Sequence, residues 1–361
     1  MKNEISNKVL SAFLNDPCEI VSFGTGHIHN TYKITKQTTG ESFLLQHINH
    51  KVFKDVAGMM QNIKQVTAHL AKRLDNKYPG FTTLEVIPTL DNQLFFYQKN
   101  YGYWRLCTFI ENSIGYDKAI SAQQAAEAGK AFGLFQALLS DMQATQLNTT
   151  IPDFHNMAYR IDNLDKAVIT DAKGRLQEVS TEISFVNTRR KQMIEFYQEI
   201  ASGKLPIRIT HNDTKFNNVL LDVKTHQAKA VVDLDTVMPG SLLYDFGDAI
   251  RTICNTCEED EADTENIDFS IPFFKAFSES YFKEVGQTLT QKEKSLLVFS
   301  AKYMTMIMGV RFLTDYLEGD VYYKINHKKH NLQRVKAQFR LIEVMEKNEK
   351  ALQRIVDEIC R

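Results

Sequence analysis

The chain has 361 residues, 43% of them hydrophobic and 24% charged, with a formal net charge of -1. That length exceeds one compact domain and suits two lobes sharing a cleft, and the composition is that of an ordinary globular protein. Near-neutral charge argues against a nucleic-acid surface, because no excess of Lys and Arg is present to neutralise phosphates.

In chain order, the opening MKNEISNKVL carries acid and polar residues where a signal peptide needs an apolar stretch. Residues 5–14 have apolar positions three and four apart and predict a short amphipathic helix. EIVSFGTGHIHNTYKI reads as two strands around a glycine-bearing turn, and ESFLLQHIN as a third. VFKDVAGMMQNIKQVTAHLAKRL has a clear helical period; TLEVIPTL, QLFFYQKN and YWRLCTFIE return to strand. After Glu111 the pattern is helical: AQQAAEAGKAFGLFQALLSDM with Ser121 as its N-cap, one or two helices over 160–202, and further helices from Ile271 to a last one over about 331–359. A single hairpin at about 217–235 interrupts them. The acidic NTCEEDEADTENID (255–268) predicts a solvated, mobile loop. No run approaches the ~18 apolar residues of a membrane span, the richest being Tyr303–Leu313 with Arg311 inside it. The five Cys are scattered and odd in number, which reads as reduced thiols, and the single C-x-x-C at Cys254 and Cys257 lacks a second pair to complete a zinc site. A cytoplasmic monomer with no membrane contact is the expectation.

These elements form an α+β, bilobal plan that resembles the protein kinases: a small β-rich N-terminal lobe over 1–108, a hinge at 109–115, and a larger, mainly helical C-terminal lobe over 109–361 carrying one polar hairpin at 210–235. The hairpin strands are NNVLLD and AKAVVDLD. A turn centred on Thr225–His226 would set Leu221 opposite Ala230 and Asn218 opposite Asp233, partners about 5 Å apart. One carboxylate and one amide carbonyl suit Mg²⁺ and leave positions for ATP phosphates and water. Asp213, five residues before Asn218, is then placed to accept the proton of an attacking hydroxyl. Asp235 points to the same strand face as Asp233 and is a reserve metal ligand. Asp and Asn also favour turns, so a surface hairpin with no ligand is the plainer alternative. The literal D-F-G at Asp245-Phe246-Gly247 lies past the hairpin; Asp245 and Asp248 are expected to brace the Asp213 loop instead.

H-N-D-T-K-F-N-N followed by V-V-D-L-D resembles the H-x-D-x-x-x-x-N and I-D signatures of the aminoglycoside phosphotransferase and choline kinase superfamily. FGTGHIHNTYKI, FLLQHINHKVFKD, VVDLDTVMPGSLLYDFGDAIR and RFLTDYLEGDVYYK extend the likeness over about 20–340, toward the N-acetylhexosamine 1-kinases, which phosphorylate the anomeric hydroxyl of GlcNAc and GalNAc. The resemblance implies Asp213 as catalytic base, Asn218 and Asp233 as magnesium ligands, and His211 as support for the catalytic loop. It places the hinge backbone, including Glu111 and Asn112, against adenine. Gly24, Gly26 and Asn30 are candidates for phosphate contact, and His29 for the roof of the sugar site. In the helical lobe Arg311 stands alone in an apolar helix and needs a partner, either Asp315, Asp320 or the sugar, with Tyr322 or Tyr323 available to stack on the ring.

One position departs from the kinase plan. Gln46, on the third strand, stands where such kinases place a phosphate-pairing lysine; it donates hydrogen bonds but brings no charge. That departure keeps two alternatives open: a phosphotransferase for another small alcohol (an aminoglycoside, an amino alcohol or another sugar), and a non-catalytic regulator of kinase fold.

Overall fold

A computed structural model of the chain describes residues 7–24, 28–74 and 77–361. Contacts divide it into two compact units. The first takes Met1–Gly115, Leu138–Pro152 and Asn218–Pro239; the second takes Tyr116–Ala137, Asp153–Asn217 and Gly240–Arg361.

The first unit is built on an antiparallel sheet of β1 (Cys18–Ser22), β2 (Asn30–Lys36), β3 (Ser42–Ile48), β4 (Val86–Ile87), β5 (Phe96–Gln98) and β6 (Gly102–Thr108). The strand order is β1-β2-β3-β6-β4, with β5 also on β6. Alternation along the strands gives the sheet two chemically different faces. Ile34, Phe43, Leu45, Trp104 and Leu106 form an apolar face that packs with Val9, Phe13 and Leu14 near the short helix α1 (Asn7–Leu10). The intervening positions, Thr31, Lys33, Gln46 and Arg105 among them, form the polar face. Register sets Thr31 beside Gln46 and Gln46 beside Arg105. Helix α2 (Val56–Leu74) buries Val56, Met59, Met60, Ile63, Val66 and Leu70, the stripe its period predicts.

The same unit holds the hairpin as a small sheet in which β9 (Val219–Asp222) pairs with both β10 (Ala228–Val231) and β7 (Ser113–Ile114). Its register differs from the expected one. Val219 pairs with Val231, Leu220 with Ala230 and Leu221 with Ala228, with a bulge at Lys229. The Lys229 carbonyl accepts instead from the Thr82 amide at 2.7 Å, which takes that residue out of the ladder.

In the second unit, α3 (Ala122–Leu138, whose last residue falls in the first unit) starts with Ser121 Oγ accepting from the Gln124 amide at 3.2 Å. A Cβ on its Gly129 would sit 2.2 Å from the Phe277 carbonyl oxygen, so only glycine permits this close approach to α7 (Ile271–Val285). Helices α4 (Met157–Thr170), α5 (Ser180–Ala201), α6 (Leu242–Ile253), α8 (Gln291–Glu318) and α9 (His330–Ile359) complete the unit. Helix α6 was not among the expected elements: it is buried at every position except Thr252, so it shows no polar stripe to mark its period. Helix α8 is longer than the Tyr303–Leu313 run suggested; by length and composition it could cross a membrane, but 78% of its apolar window is buried, and it packs on α4, α6 and α9. The acidic segment 255–268 is largely exposed, as expected, but it is tethered to the rest of its unit. Asn255 bridges to Phe269, Glu259 reaches Arg251 at 2.7 Å, and Asp260 reaches His330 at 2.7 Å.

Candidate active site

The segment carrying Asp213 follows β8 (Arg208–Thr210) and has no regular structure of its own, so its backbone groups need partners elsewhere. Asp245, in the first turn of α6, supplies them: its carboxylate accepts from the His211 amide at 2.8 Å, the Asn212 amide at 2.7 Å and Gln136 Nε2 at 2.7 Å. Thr214 Oγ1 donates to the Asp245 carbonyl at 2.6 Å. Burial pushes the Asp245 carboxyl up to about 6, against these hydrogen bonds. Asn212 adopts a left-handed φ of 65°, and the His211 ring is held edge-on by Phe132 and Phe135. His211 Nδ1 accepts from the Asp213 amide at 3.3 Å.

Asp213 itself lies 2.9 Å from Lys215 Nζ. Burial acts to raise the Asp213 carboxyl, but Lys215, then His211 and Arg251, outweigh it and hold Asp213 below the usual carboxylate range. It is therefore ionised at neutral pH, the form a proton acceptor requires. Arg251 is pinned at 2.9 Å to Asp248 and at 2.7 Å to Glu259, so part of the acidic segment is folded into the surroundings of this loop.

Beside it is a cluster drawn from α4, the segment before it, and α8. The Arg311 guanidinium has the rings of Phe154, Tyr323 and Tyr322 5.4–5.8 Å from its carbon. The expected pairing of Arg311 with Asp315 or Asp320 does not occur. Asp315 instead accepts from the amides of Val321, Tyr322 and Tyr323 and from Asn331, and Asp320 pairs with Arg175 at 2.6 Å. Among the described residues, neither Arg311 nor Arg160 lies within 4.0 Å of a carboxylate oxygen. Arg160 donates to the carbonyls of Asp153 and Phe154, while its Nε, the Tyr323 hydroxyl and both ring nitrogens of His155 are buried without a partner. Burial, with Arg311 and Arg160 adding to it, lowers His155 to about 3, so this imidazole is neutral. Burial and Arg311 likewise lower Arg160. Of this cluster only His155 is buried; Arg160, Arg311 and Tyr323 are half-buried and Tyr322 is exposed, so its unpaired polar groups are open to water or to a ligand.

In the first unit, the Val232 amide donates to the Asn218 carbonyl at 2.9 Å, so Asn218 and Asp233 lie within one residue of each other at the open end of the β9–β10 ladder. Asp233 is exposed, with φ of 61°, and leads into a one-turn 3-10 helix over Leu234–Thr236. A carboxylate and a nearly buried amide here provide the hard oxygen donors magnesium prefers. Among the described residues no group of three His, Cys, Asp or Glu could hold a metal ion.

Asp235 cannot serve as the reserve ligand. Its carboxylate receives both terminal nitrogens of Arg105 and lies 2.5 Å from His29 Nε2. Burial would raise this carboxyl, but Arg105 and His29 hold it well below the usual range. Gln46 is also engaged: its amide nitrogen donates to Thr31 Oγ1 at 3.1 Å and its oxygen accepts from Arg105 Nε at 2.9 Å. His29 Nδ1 accepts from the Asn49 amide at 3.0 Å, so both ring nitrogens of this residue are committed within the first unit.

On the same polar face a cavity of about 560 Å³ is lined by Lys33, Thr35, Ser42, Phe109 and Glu111. Glu111 is 3.6 Å from Lys33 Nζ, and the carbonyl of Asn112, at φ 53°, accepts from Lys229 Nζ and the Val223 amide. Gly24 has φ of 75° and open space where a side chain would project; Asn30 opens β2. Gly26 and His27 lie outside the described residues.

Residues 19–270, more than half of the chain, match the phosphotransferase enzyme family. The chain belongs to that family. Solved structures agree on the fold at low identity. An aminoglycoside phosphotransferase from Alicyclobacillus acidocaldarius shares 10% identity over 98% of both chains with a TM-score of 0.62. An ethanolamine kinase from Plasmodium vivax shares 13% over 90% of this chain and 83% of that one, with a TM-score of 0.56. A spectinomycin phosphotransferase, in complex with ADP and spectinomycin, shares 13% over 92% and 93%, with a TM-score of 0.53. This phosphotransferase therefore has the protein-kinase-like α+β fold.

Sequence reasoning missed Lys215, Arg105, His155 and Arg160. Lys215 stands two residues after Asp213 in the same polar stretch, and Arg105 is the lone charge in the strand YWRLCTF; both signals were readable. His155 and Arg160 carry none, because their surroundings come from elements far apart in the chain.

Proposed function

We propose that this phosphotransferase uses ATP and Mg²⁺ to phosphorylate the anomeric hydroxyl of an N-acetylhexosamine, GlcNAc or GalNAc. Asp213 is the base that orients and deprotonates that hydroxyl, kept ionised by Lys215, while His211 and Asp245 fix the loop around it. Asn218 and Asp233 would hold magnesium, which when bound neutralises charge on the β- and γ-phosphates. In this reading Gly24, Gly26, Asn30 and Gln46 are assigned to phosphate, Glu111 and Asn112 to adenine, and Arg311 and Tyr322 to the sugar, whereas His29, with both ring nitrogens committed to Asp235 and Asn49, is withdrawn from it.

What supports the acceptor reading is that, among the described residues, neither Arg160 nor Arg311 has a carboxylate partner; Arg160 reaches only carbonyls and Arg311 aromatic rings and a methionine sulfur. Guanidinium, phenol and imidazole donors suit the hydroxyl and acetamido oxygens of a neutral sugar. A polycationic aminoglycoside or a quaternary amine would meet repulsion there. Another neutral sugar is the remaining acceptor class this chemistry fits. Phosphorus NMR of reactions with ATP, Mg²⁺ and a panel of GlcNAc, GalNAc, glucose, kanamycin, spectinomycin, choline and ethanolamine tests the reading. An anomeric phosphate signal with GlcNAc or GalNAc is expected, and turnover confined to the amines would overturn it. Asp213→Asn should abolish transfer while ATP still binds.

A further inference from the structure

The cation that a kinase of this plan would carry on its third strand is present one strand over. Register places Gln46 of β3 directly beside Arg105 of β6, and Arg105, only 4% exposed, reaches Asp235 with both terminal nitrogens. Gln46 and His29 complete the contact, one on each partner. A buried ion pair of this kind adds little stability over an apolar pair of the same volume, so stability alone is a weak reason for it. Its position is more informative. Asp235 lies in the one-turn helix Leu234–Thr236, whose N-terminal neighbour is Asp233. Asp233 has a left-handed backbone and is the residue that leads into this turn, so the turn fixes where the chain carries its side chain. His29 adjoins Asn30, and ties the exit of the glycine turn to the same carboxylate.

We propose that Arg105 is a positioning residue for Asp233: by locking Asp235 in a two-pronged grip it fixes the Leu234–Thr236 turn, and so aims the Asp233 carboxylate at magnesium. The assignment rests on reading Asp233 as a magnesium ligand. Arg105 thus replaces the usual strand lysine in a different manner, acting on the metal ligand rather than on phosphate. It also explains why a neutral glutamine is tolerated at position 46: a lysine there would face the Arg105 guanidinium at hydrogen-bond range.

Arg105→Gln, Arg105→Lys, the charge-balanced double variant Arg105→Gln/Asp235→Asn, and Asp233→Asn test this. Two readouts are compared at saturating ATP and sugar: the Mg²⁺ concentration for half-maximal turnover, and Mn²⁺ affinity of the protein–ATP complex by electron paramagnetic resonance, with thermal melts alongside. Arg105→Gln and the double variant should each weaken Mg²⁺ and Mn²⁺ at least tenfold while excess metal restores most of kcat. Arg105→Lys, which keeps one donor and the charge, should recover part of that loss. If Arg105→Gln fails to fold because Asp235 is left unpaired, the double variant gives the answer. Wild-type metal affinity in the double variant, whether or not its melting temperature falls, overturns the proposal and leaves a merely structural pair. Unchanged metal affinity in Asp233→Asn overturns instead the reading of Asp233 as ligand.

Discussion

His155 offers a quantitative test of the acceptor cluster through stability rather than turnover. It is 7% exposed, neither ring nitrogen has a partner, and burial together with Arg311 and Arg160 lowers it to about 3 from an ordinary value of about 6.5. The unfolded chain therefore takes up a proton near pH 6.5 that the native state refuses until about pH 3. Between those limits the unfolded state binds more protons, so stability rises with pH across the window and is lost as pH falls. Linkage puts the cost of this one group at about 2 kcal/mol at pH 5, relative to pH 8 where it is neutral in both states. Asp245, raised to about 6, has the opposite sign, losing stability as pH rises from about 4 toward 6, but it is common to wild type and variant and cancels. His155→Gln keeps a polar side chain of similar reach and removes the titration. Urea unfolding of both proteins at pH 8 and pH 5 is the assay. The wild type should lose about 2 kcal/mol more than the variant between the two. Equal losses would show that His155 titrates normally and that the two arginines do not bear on it.

Arg311→Ala should raise KM for the acceptor about tenfold or more and leave KM for ATP within twofold, as removal of a contact made with the acceptor alone requires; steady-state kinetics on both substrates decides it. Gln46→Lys sets an ammonium against Arg105, so calorimetry should find ATP binding no tighter and a melt should show a lower transition temperature; tighter binding with an unchanged melt would refute it. Gly247→Ala would put a Cβ 2.3 Å from the Ser300 carbonyl oxygen where α6 meets α8, and should cost about 1–3 kcal/mol by chemical denaturation.

Local pattern made most of the architecture legible. The strands before Glu111 were legible from their aromatic and β-branched content, and Ser121 marks the start of α3 through its own hydroxyl. The hairpin was visible too, because NNVLLD and AKAVVDLD are apolar runs around a polar turn. Its register was not, since counting outward from the turn assumes an unbroken period of two. Thr82, which captures the Lys229 carbonyl and so bulges β10, lies 147 positions upstream. The brace on Asp213 shows the same division. That Asp245 lies past the hairpin in a polar motif is local information; that it opens α6 and that Gln136 shares its carboxylate are not, the latter depending on the packing of α3, 109 residues earlier.

Buried charge is where pattern and tertiary structure can be joined by argument. An arginine alone in an apolar segment must find either an acid or a ligand, because guanidinium does not give up its proton to escape burial. Applied to α8, that rule singles out Arg311, but Arg311 is only half-buried and keeps access to water, while Asp315 and Asp320 are committed elsewhere. Applied to YWRLCTF, it singles out Arg105, and here the acid is found, at Asp235. The two arginines thus differ in outcome: Arg105 is buried against the Asp235 carboxylate, whereas Arg311 is half-buried among aromatic rings with no ion pair among the described residues. On the proposed roles, Arg311→Ala and Arg105→Gln should separate cleanly, one in acceptor KM and the other in metal requirement.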